Sequence, residues 1–180
     1  MALLTLRIAP DRPLHVKAKK IRTIDASIQR LADDMVETMY HENGVGLAAN
    51  QVGVLQRICV IQVSEDEEPR ILINPEIVET QGQREVDEGC LSVPGYRGTI
   101  NRSETVRVRA QDIRGKIIKI KAENLLAQAL EHEIDHLNGI LYLDHLESHD
   151  NLYKIEPEPP EPPEPSESSE SQESVEAGVG

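Results

Sequence analysis

Between Ala129 and Asn138 the chain reads Ala-Leu-Glu-His-Glu-Ile-Asp-His-Leu-Asn, so His132, Glu133 and His136 form an HExxH arrangement inside a run of helical periodicity. No other feature narrows the fold as much. Histidines at i and i+4 project from one helical face and can share a divalent metal ion, while Glu133 can reach a water bound to that ion. The helix is read from Glu123 to about Leu137, with Leu126, Leu130 and Leu137 on a core stripe and Leu125, Ala129, His132 and His136 on the adjacent one. This is the chemistry of a metal-dependent hydrolase, provided a third protein ligand joins the histidines. Standing alone, the five residues also occur in helices whose histidines are only exposed or capping side chains.

The elements around this helix point to a mixed fold. Asp25 is a plausible N-cap for a first helix, in which Ile28, Leu31, Ala32, Met35 and Met39 keep helical spacing until the Gly44 region breaks it. Arg57 to Val63 and Arg70 to Asn74 read as strands separated by the acidic turn Ser64 to Pro69. Val106, Val108 and Ala110 alternate with polar neighbours before a turn at Asp112-Ile-Arg-Gly115, and a further strand passes through Ile118 and Ile120, which predicts an antiparallel hairpin. Strands precede the motif helix without regular βαβ alternation, so the expected class is α+β, with small antiparallel or mixed sheets around a central metal-binding helix. No internal repeat is visible.

Charge divides the 180 residues unevenly. Residues 156–180 hold eight of the glutamates and no Lys or Arg, so they account for eight of the 13 formal net negative charges. Six prolines and five serines share that segment, which has too little apolar surface to form a core and is expected to be a disordered, self-repelling tail. Residues 1–155 are then expected to form one catalytic domain. Its core must be built from Leu, Ile, Val and Ala, because Phe and Trp are absent and only four Tyr occur. No apolar run approaches the roughly 20 residues of a membrane-spanning helix, and the N-terminus has no secretory pattern. Cys59 and Cys90 do not suggest a disulfide framework, which points to a reducing, cytoplasmic setting.

The missing ligand can be sought on either side of the helix. In the protease pattern HExxHxxGxxH the frame holds through Gly139, but the last position is Tyr142. His145 and His149 lie further on at no recognised spacing. Upstream, Cys90 sits in Asp87-Glu-Gly-Cys-Leu-Ser-Val-Pro94, where Gly89 gives backbone freedom and a polar turn would leave the thiol accessible. A thiolate and two imidazoles make a three-ligand site with one open coordination position. Taken alone, Cys90 reads equally as a small buried hydrophobe, which is the expectation for Cys59 in its strand.

Three segments carry a resemblance. Gly44-Val-Gly-Leu-Ala-Ala-Asn-Gln51, Glu88-Gly-Cys-Leu-Ser92 and His132-Glu-Ile-Asp-His136 resemble, in order and approximate separation, the three motifs of the peptide deformylases, over roughly residues 4–153. The resemblance implies removal of the formyl group from the N-terminal formylmethionine of nascent chains, with release of formate. It places one divalent ion on Cys90, His132 and His136, commonly Fe2+, with Zn2+, Ni2+ and Co2+ compatible with the same donors. Glu133 would take a proton from the attacking water and return it to the leaving amine. The Gln51 side-chain amide and the Leu91 backbone N–H would stabilise the developing oxyanion.

The same resemblance implies that Gly44, Gly46 and Gly89 hydrogen-bond the substrate main chain. Val45, Val86, Leu125 and Ala129 match positions lining the methionine pocket, where Gln128 is more polar than the usual residue. Arg97 and Arg102 fall at basic positions, and Arg102 is expected either to pair with Glu88 behind the metal loop or to form an ordinary surface ion pair. Many bacterial members continue into a basic helix that contacts the ribosome, whereas this chain turns acidic after Ile155, which argues against ribosome docking by that route. An HExxH-type metallopeptidase and a non-enzymatic metal-binding descendant are the alternatives; neither membrane nor DNA binding is expected.

Overall fold

The structure is a computed structural model describing residues 2–155; Met1 and the acidic segment 156–180, with the expectation of a disordered tail, lie outside the described residues. Helix α1 spans Ala26–His41, and the expected cap is in place: Asp25 Oδ1 accepts from the backbone N–H of Ser27 at 2.8 Å and of Ile28 at 3.2 Å. Its apolar stripe of Ile28, Ala32, Met35 and Met39 is buried. Helix α2 spans Asn124–Leu137 and carries the HExxH residues. Eight strands follow the order β1 Gly46–Ala48, β2 Ile58–Ile61, β3 Arg70–Gln81, β4 Arg84–Cys90, β5 Val93–Arg102, β6 Thr105–Gln111, β7 Ile117–Glu123 and, after α2, β8 Leu152–Lys154.

These strands form two antiparallel sheets, a five-stranded one in the order β1-β2-β3-β6-β7 and a three-stranded one in the order β4-β5-β8. The architecture is α+β. Leu130, Ile134 and Leu137 of α2 pack with Cys59, Ile61, Leu72, Val106 and Val108 of the larger sheet, and α1 packs on the β1–β2 end of it. A separate small core of Val86, Val93, Ile100 and Tyr142 lies at the three-stranded sheet. Among the described residues, no helix is long and apolar enough to cross a membrane.

Two strand readings change. The β2 ladder is shorter than Arg57 to Val63, whereas β3 continues well past Asn74. Asn74 adopts φ 51°, and the register of β3 against β6 shifts between Ile73 and Glu76, so the strand crosses Asn74-Pro75 through an irregularity that accommodates a proline a regular ladder would exclude. Asn74 Nδ2 donates to the Ile21 carbonyl at 2.8 Å and to Gln111 Oε1 at 2.9 Å, while the Arg57 guanidinium donates to the Pro75 carbonyl. The Arg57 side chain thus satisfies a strand carbonyl at the point where the ladder is interrupted.

The short strands β1 and β8 escape recognition from periodicity, and the longest element to do so is the hairpin β4–β5. Its sequence shows no clean apolar alternation: β4 buries Glu88, and β5 carries Pro94, Gly95 and Gly98. Cys90 is therefore the last residue of a strand, with the turn following it at Leu91-Ser92, and does not sit within a polar loop.

Candidate metal centre and cleft

Helix α2 brings His132 and His136 to one face, and the end of β4 delivers Cys90 opposite them. His136 Nε2 is 3.1 Å from His132 Nε2 and 3.2 Å from Cys90 Sγ, and the three donor atoms all lie within 4.8 Å of one another. The two rings meet edge to face, with centroids 4.7 Å apart. Two imidazole nitrogens and one thiol sulfur aimed at a common point form a donor set suited to a borderline divalent metal ion. His145 and His149 are not part of this cluster.

The supports behind the donors are buried and charged. His132 Nδ1 donates to Glu88 Oε1 at 2.5 Å, which leaves its Nε2 lone pair for a cation. Arg102 holds Glu88 through Nη2 at 2.6 Å and Nε at 3.1 Å, and reaches Asp135 through Nη1 at 2.6 Å. Arg102 and Glu88 side chains are each only 4% exposed, so this is a buried fork and not a surface ion pair. Burial alone would raise the Glu88 carboxyl, but hydrogen bonds from His132 and Arg102 outweigh it and lower the pKa to about 2. Burial works the other way on His136 and pushes it well below its ordinary value, in favour of the neutral ring that can coordinate a metal.

Glu133 faces the same space. It is 3% exposed, its Oε2 has no hydrogen-bond partner among the described residues, and burial raises its carboxyl to about 7. A side chain at Gly46 would collide with Glu133 Oε1 and displace the carboxyl from the position described, so glycine here lets the carboxyl sit against the backbone. Gly44 is similarly tight, since a Cβ there would lie 2.8 Å from Leu91 Cδ1. Gly89 differs from the expectation of special backbone freedom: its φ is not left-handed, and an added Cβ would meet Arg97 only at ordinary contact distance, 3.5 Å.

Gln51 sits in a short 3-10 turn, Ala49–Val52, with its amide oriented by partners at both ends. Its Oε1 accepts from the Ala48 backbone N–H at 2.9 Å, while Nε2 donates to Ser92 Oγ at 3.2 Å and lies 3.6 Å from Cys90 Sγ. The NH2 therefore points inward, beside the donor cluster. Ser92 lies within the second motif and received no role from sequence, yet it is fully buried and anchors this amide.

A cleft of about 440 Å³ opens over these groups. Gly44, Val45, Gly46, Gln51, Gly89, Cys90, Leu91, Leu125, Ala129, His132 and Glu133 all line it, as does Gln128. Val86 is not among the lining residues: it packs with Ile100 and Tyr142 in the small core of the three-stranded sheet. Two wall features were not assigned from sequence. The segment Pro94 to Arg97 forms part of the wall, and so does Ile155, whose N–H donates to the Gly95 carbonyl at 3.0 Å.

The polypeptide deformylase family model matches residues 3–152. The chain belongs to that family. A peptide deformylase of Dehalococcoides mccartyi strain CBDB1 is 52% identical over 158 residues, which cover 88% of this chain and 95% of that relative. Another from Chromobacterium violaceum is 48% identical over 147 residues, covering 81% and 88%. The crystal structure of a Legionella pneumophila deformylase shares 47% identity with a TM-score of 0.79, covering 81% of this chain and 86% of that chain. That of an Ehrlichia chaffeensis deformylase in complex with actinonin shares 42% with a TM-score of 0.80, covering 84% and 92%. The deformylase fold and the donor cluster thus occur on the same stretch of chain.

Proposed function

We propose that the chain hydrolyses the formyl group from the N-terminal formylmethionine of newly made polypeptides, releasing formate and a free amine. The single observation carrying this reading is the cluster of Cys90 Sγ and two histidine Nε2 atoms at the base of the cleft, beside a buried Glu133 carboxyl and an inward Gln51 amide. Cys90, His132 and His136 would hold the divalent ion, which when bound supplies Lewis-acid polarisation and a more acidic water. Ferrous iron is the proposed native ion, with zinc, nickel or cobalt able to use the same donors.

Glu133 takes a proton from the water that adds to the formyl carbon. It returns that proton to the amine nitrogen as the C–N bond breaks, a general base followed by a general acid. A carboxyl near 7 suits both directions at neutral pH. Gln51 Nε2 and the Leu91 N–H are assigned to the oxygen on which negative charge develops. Gly44, Gly46 and Gly89 leave room for the substrate main chain, and Val45, Leu125 and Ala129 receive the methionine side chain. Gln128 donates to the Asp87 carbonyl and to Glu88 Oε2, each at 3.3 Å, so both contacts hold its NH2 against the cleft wall.

Residues 1–155 are proposed as the catalytic unit, acting in the reducing cytoplasm on nascent chains. The eight glutamates beyond Ile155 would oppose contact with ribosomal RNA. Formate release from a formyl-Met peptide by anaerobically purified protein, with metal measured on the same sample, tests the reading. One metal per chain with formate production is expected; metal-loaded protein that releases none would reject it.

A further inference from the structure

His145 is a histidine that the proposed reaction does not use. It closes the short 3-10 turn Tyr142–His145, and its Nε2 donates to Asp135 Oδ2 on α2 at 2.8 Å. The same carboxylate oxygen accepts from Arg102 Nη1 at 2.6 Å. Arg102 in turn grips Glu88, and Glu88 accepts from His132 Nδ1. A chain of charged contacts therefore runs from a ring that is 36% exposed to a donor of the proposed metal site, through Asp135 at 16% exposure and the buried Arg102 and Glu88.

We propose that His145 is a positioning residue whose charge is passed through Asp135, Arg102 and Glu88 to His132, so that a proton gained at the surface weakens metal binding. The proposal rests on the reading of Cys90, His132 and His136 as the metal site. Because one oxygen of Asp135 serves both His145 and Arg102, a cationic ring draws on the charge that otherwise neutralises the guanidinium. Arg102 then acts more strongly on Glu88. The carboxylate becomes a poorer acceptor for His132 N–H, and the imidazole a poorer donor to the cation. The added positive charge also opposes a nearby cation directly, so both effects have the same sign.

The surroundings allow this input. His145 lines a polar groove of about 280 Å³ with Asn101, Arg102 and Ser103 on one side and Glu131 and Asp135 of α2 on another. The charged groups facing it are thus Arg102, Glu131 and Asp135; Glu131 is engaged by Ser103 at 2.8 Å, and nearby Glu147 by Asn101 at 3.1 Å. The groove gives protons access to the ring without unfolding.

The test compares full-length wild type with His145→Gln, which retains an amide donor but no titratable charge, and His145→Lys, which is charged throughout the neutral range. Each is loaded with cobalt(II) and titrated with a chelator at about pH 6 and about pH 8, on either side of the usual histidine range. The cobalt absorption bands report the donor set, and thermal unfolding reports the fold. From the higher to the lower pH, wild type should lose at least about threefold more affinity than His145→Gln, less than the 10–100-fold carried by a direct ligand partner. At the higher pH, His145→Lys should bind at least about threefold more weakly than His145→Gln. Equal pH dependence in all three proteins overturns the proposal, as does an equal loss in both variants with lowered thermal stability, which would make His145 a structural prop. Wild type that binds no cobalt at the higher pH overturns the metal-site reading itself.

Discussion

The two sheets bury different chemistry around one helix. The five-stranded sheet meets Leu130 of α2 through apolar side chains such as Cys59, Ile61, Leu72 and Val108, all essentially inaccessible. The three-stranded sheet reaches the same helix through Glu88 and Arg102, both buried and both charged, and through the thiol of Cys90. Aliphatic burial is non-directional and stabilises roughly in proportion to area. Buried ion pairs stabilise little against apolar replacements, but they fix orientation and are costly to break singly. Helix α2 is thus held by one sheet and aimed by the other.

The sharpest separation of these two roles is Glu133→Gln. The amide keeps the volume and leaves Cys90, His132 and His136 untouched, so metal content should persist while turnover on a formyl-Met peptide falls by about 10²–10⁴-fold. Near-normal turnover of the metal-loaded variant would remove the role assigned to the carboxylate.

The two cysteines place the same substitution on each side. Cys90→Ser puts a poorly coordinating hydroxyl among the donors and should sharply weaken metal retention under dialysis. Cys59→Ser, on β2 within the aliphatic core, should lower thermal stability by about 1–3 kcal/mol through an unpaired buried hydroxyl, with metal stoichiometry unchanged. Full metal retention by the serine variant at position 90 would show that the donor set is wrong.

This division also explains what could be read from sequence. Helix α1 and the β6–β7 hairpin were legible because aliphatic residues mark their buried faces with periods of 3.6 and 2. The same rule missed β4–β5, where the buried positions include Glu88 and Arg102 and the pattern resembles a solvated segment. Helix α2 was legible through Leu126, Leu130 and Leu137 together with the i, i+4 histidines. Residue roles in the cleft came from the three motifs and from matched family positions such as Leu125 and Ala129, so groups with no role implied by the resemblance, Ser92 and Ile155 among them, were not assigned. Ile155 lines the cleft only because β8 returns to β5, a pairing of Tyr96 with Lys154 that local pattern does not reveal. Val86 matches a family pocket position, yet it packs in the small core of the three-stranded sheet and is not among the lining residues.

Acid stability should distinguish the sheets next. The folded Glu88 carboxyl is lowered from 4.5 to about 2, so its contribution is present above pH 4.5 and lost as pH falls toward 2. Glu88→Gln should flatten that part of the stability curve measured by denaturant unfolding, whereas Leu130→Ala should lower the whole curve by about 2–5 kcal/mol and leave its acid slope in place. An unchanged slope in Glu88→Gln would assign the acid sensitivity to other carboxylates.

The smallest effect is expected where the three-stranded sheet gives way to the acidic segment. Ile155 lines the cleft and is anchored to Gly95, so Ile155→Ala should raise KM for a short formyl-Met peptide by about 1–3 kcal/mol or less in binding, with kcat nearly unchanged. Ending the chain immediately after Ile155 should preserve metal content and kcat/KM, because residues 156–180 follow every functional group assigned here. If their eight negative charges oppose contact with RNA phosphates, as proposed above, truncation should increase ribosome co-sedimentation most at low salt, where screening is weakest. Equal co-sedimentation of the two chains across a salt series would remove the electrostatic role, and a large loss of peptide activity would move the boundary of the catalytic unit beyond Ile155.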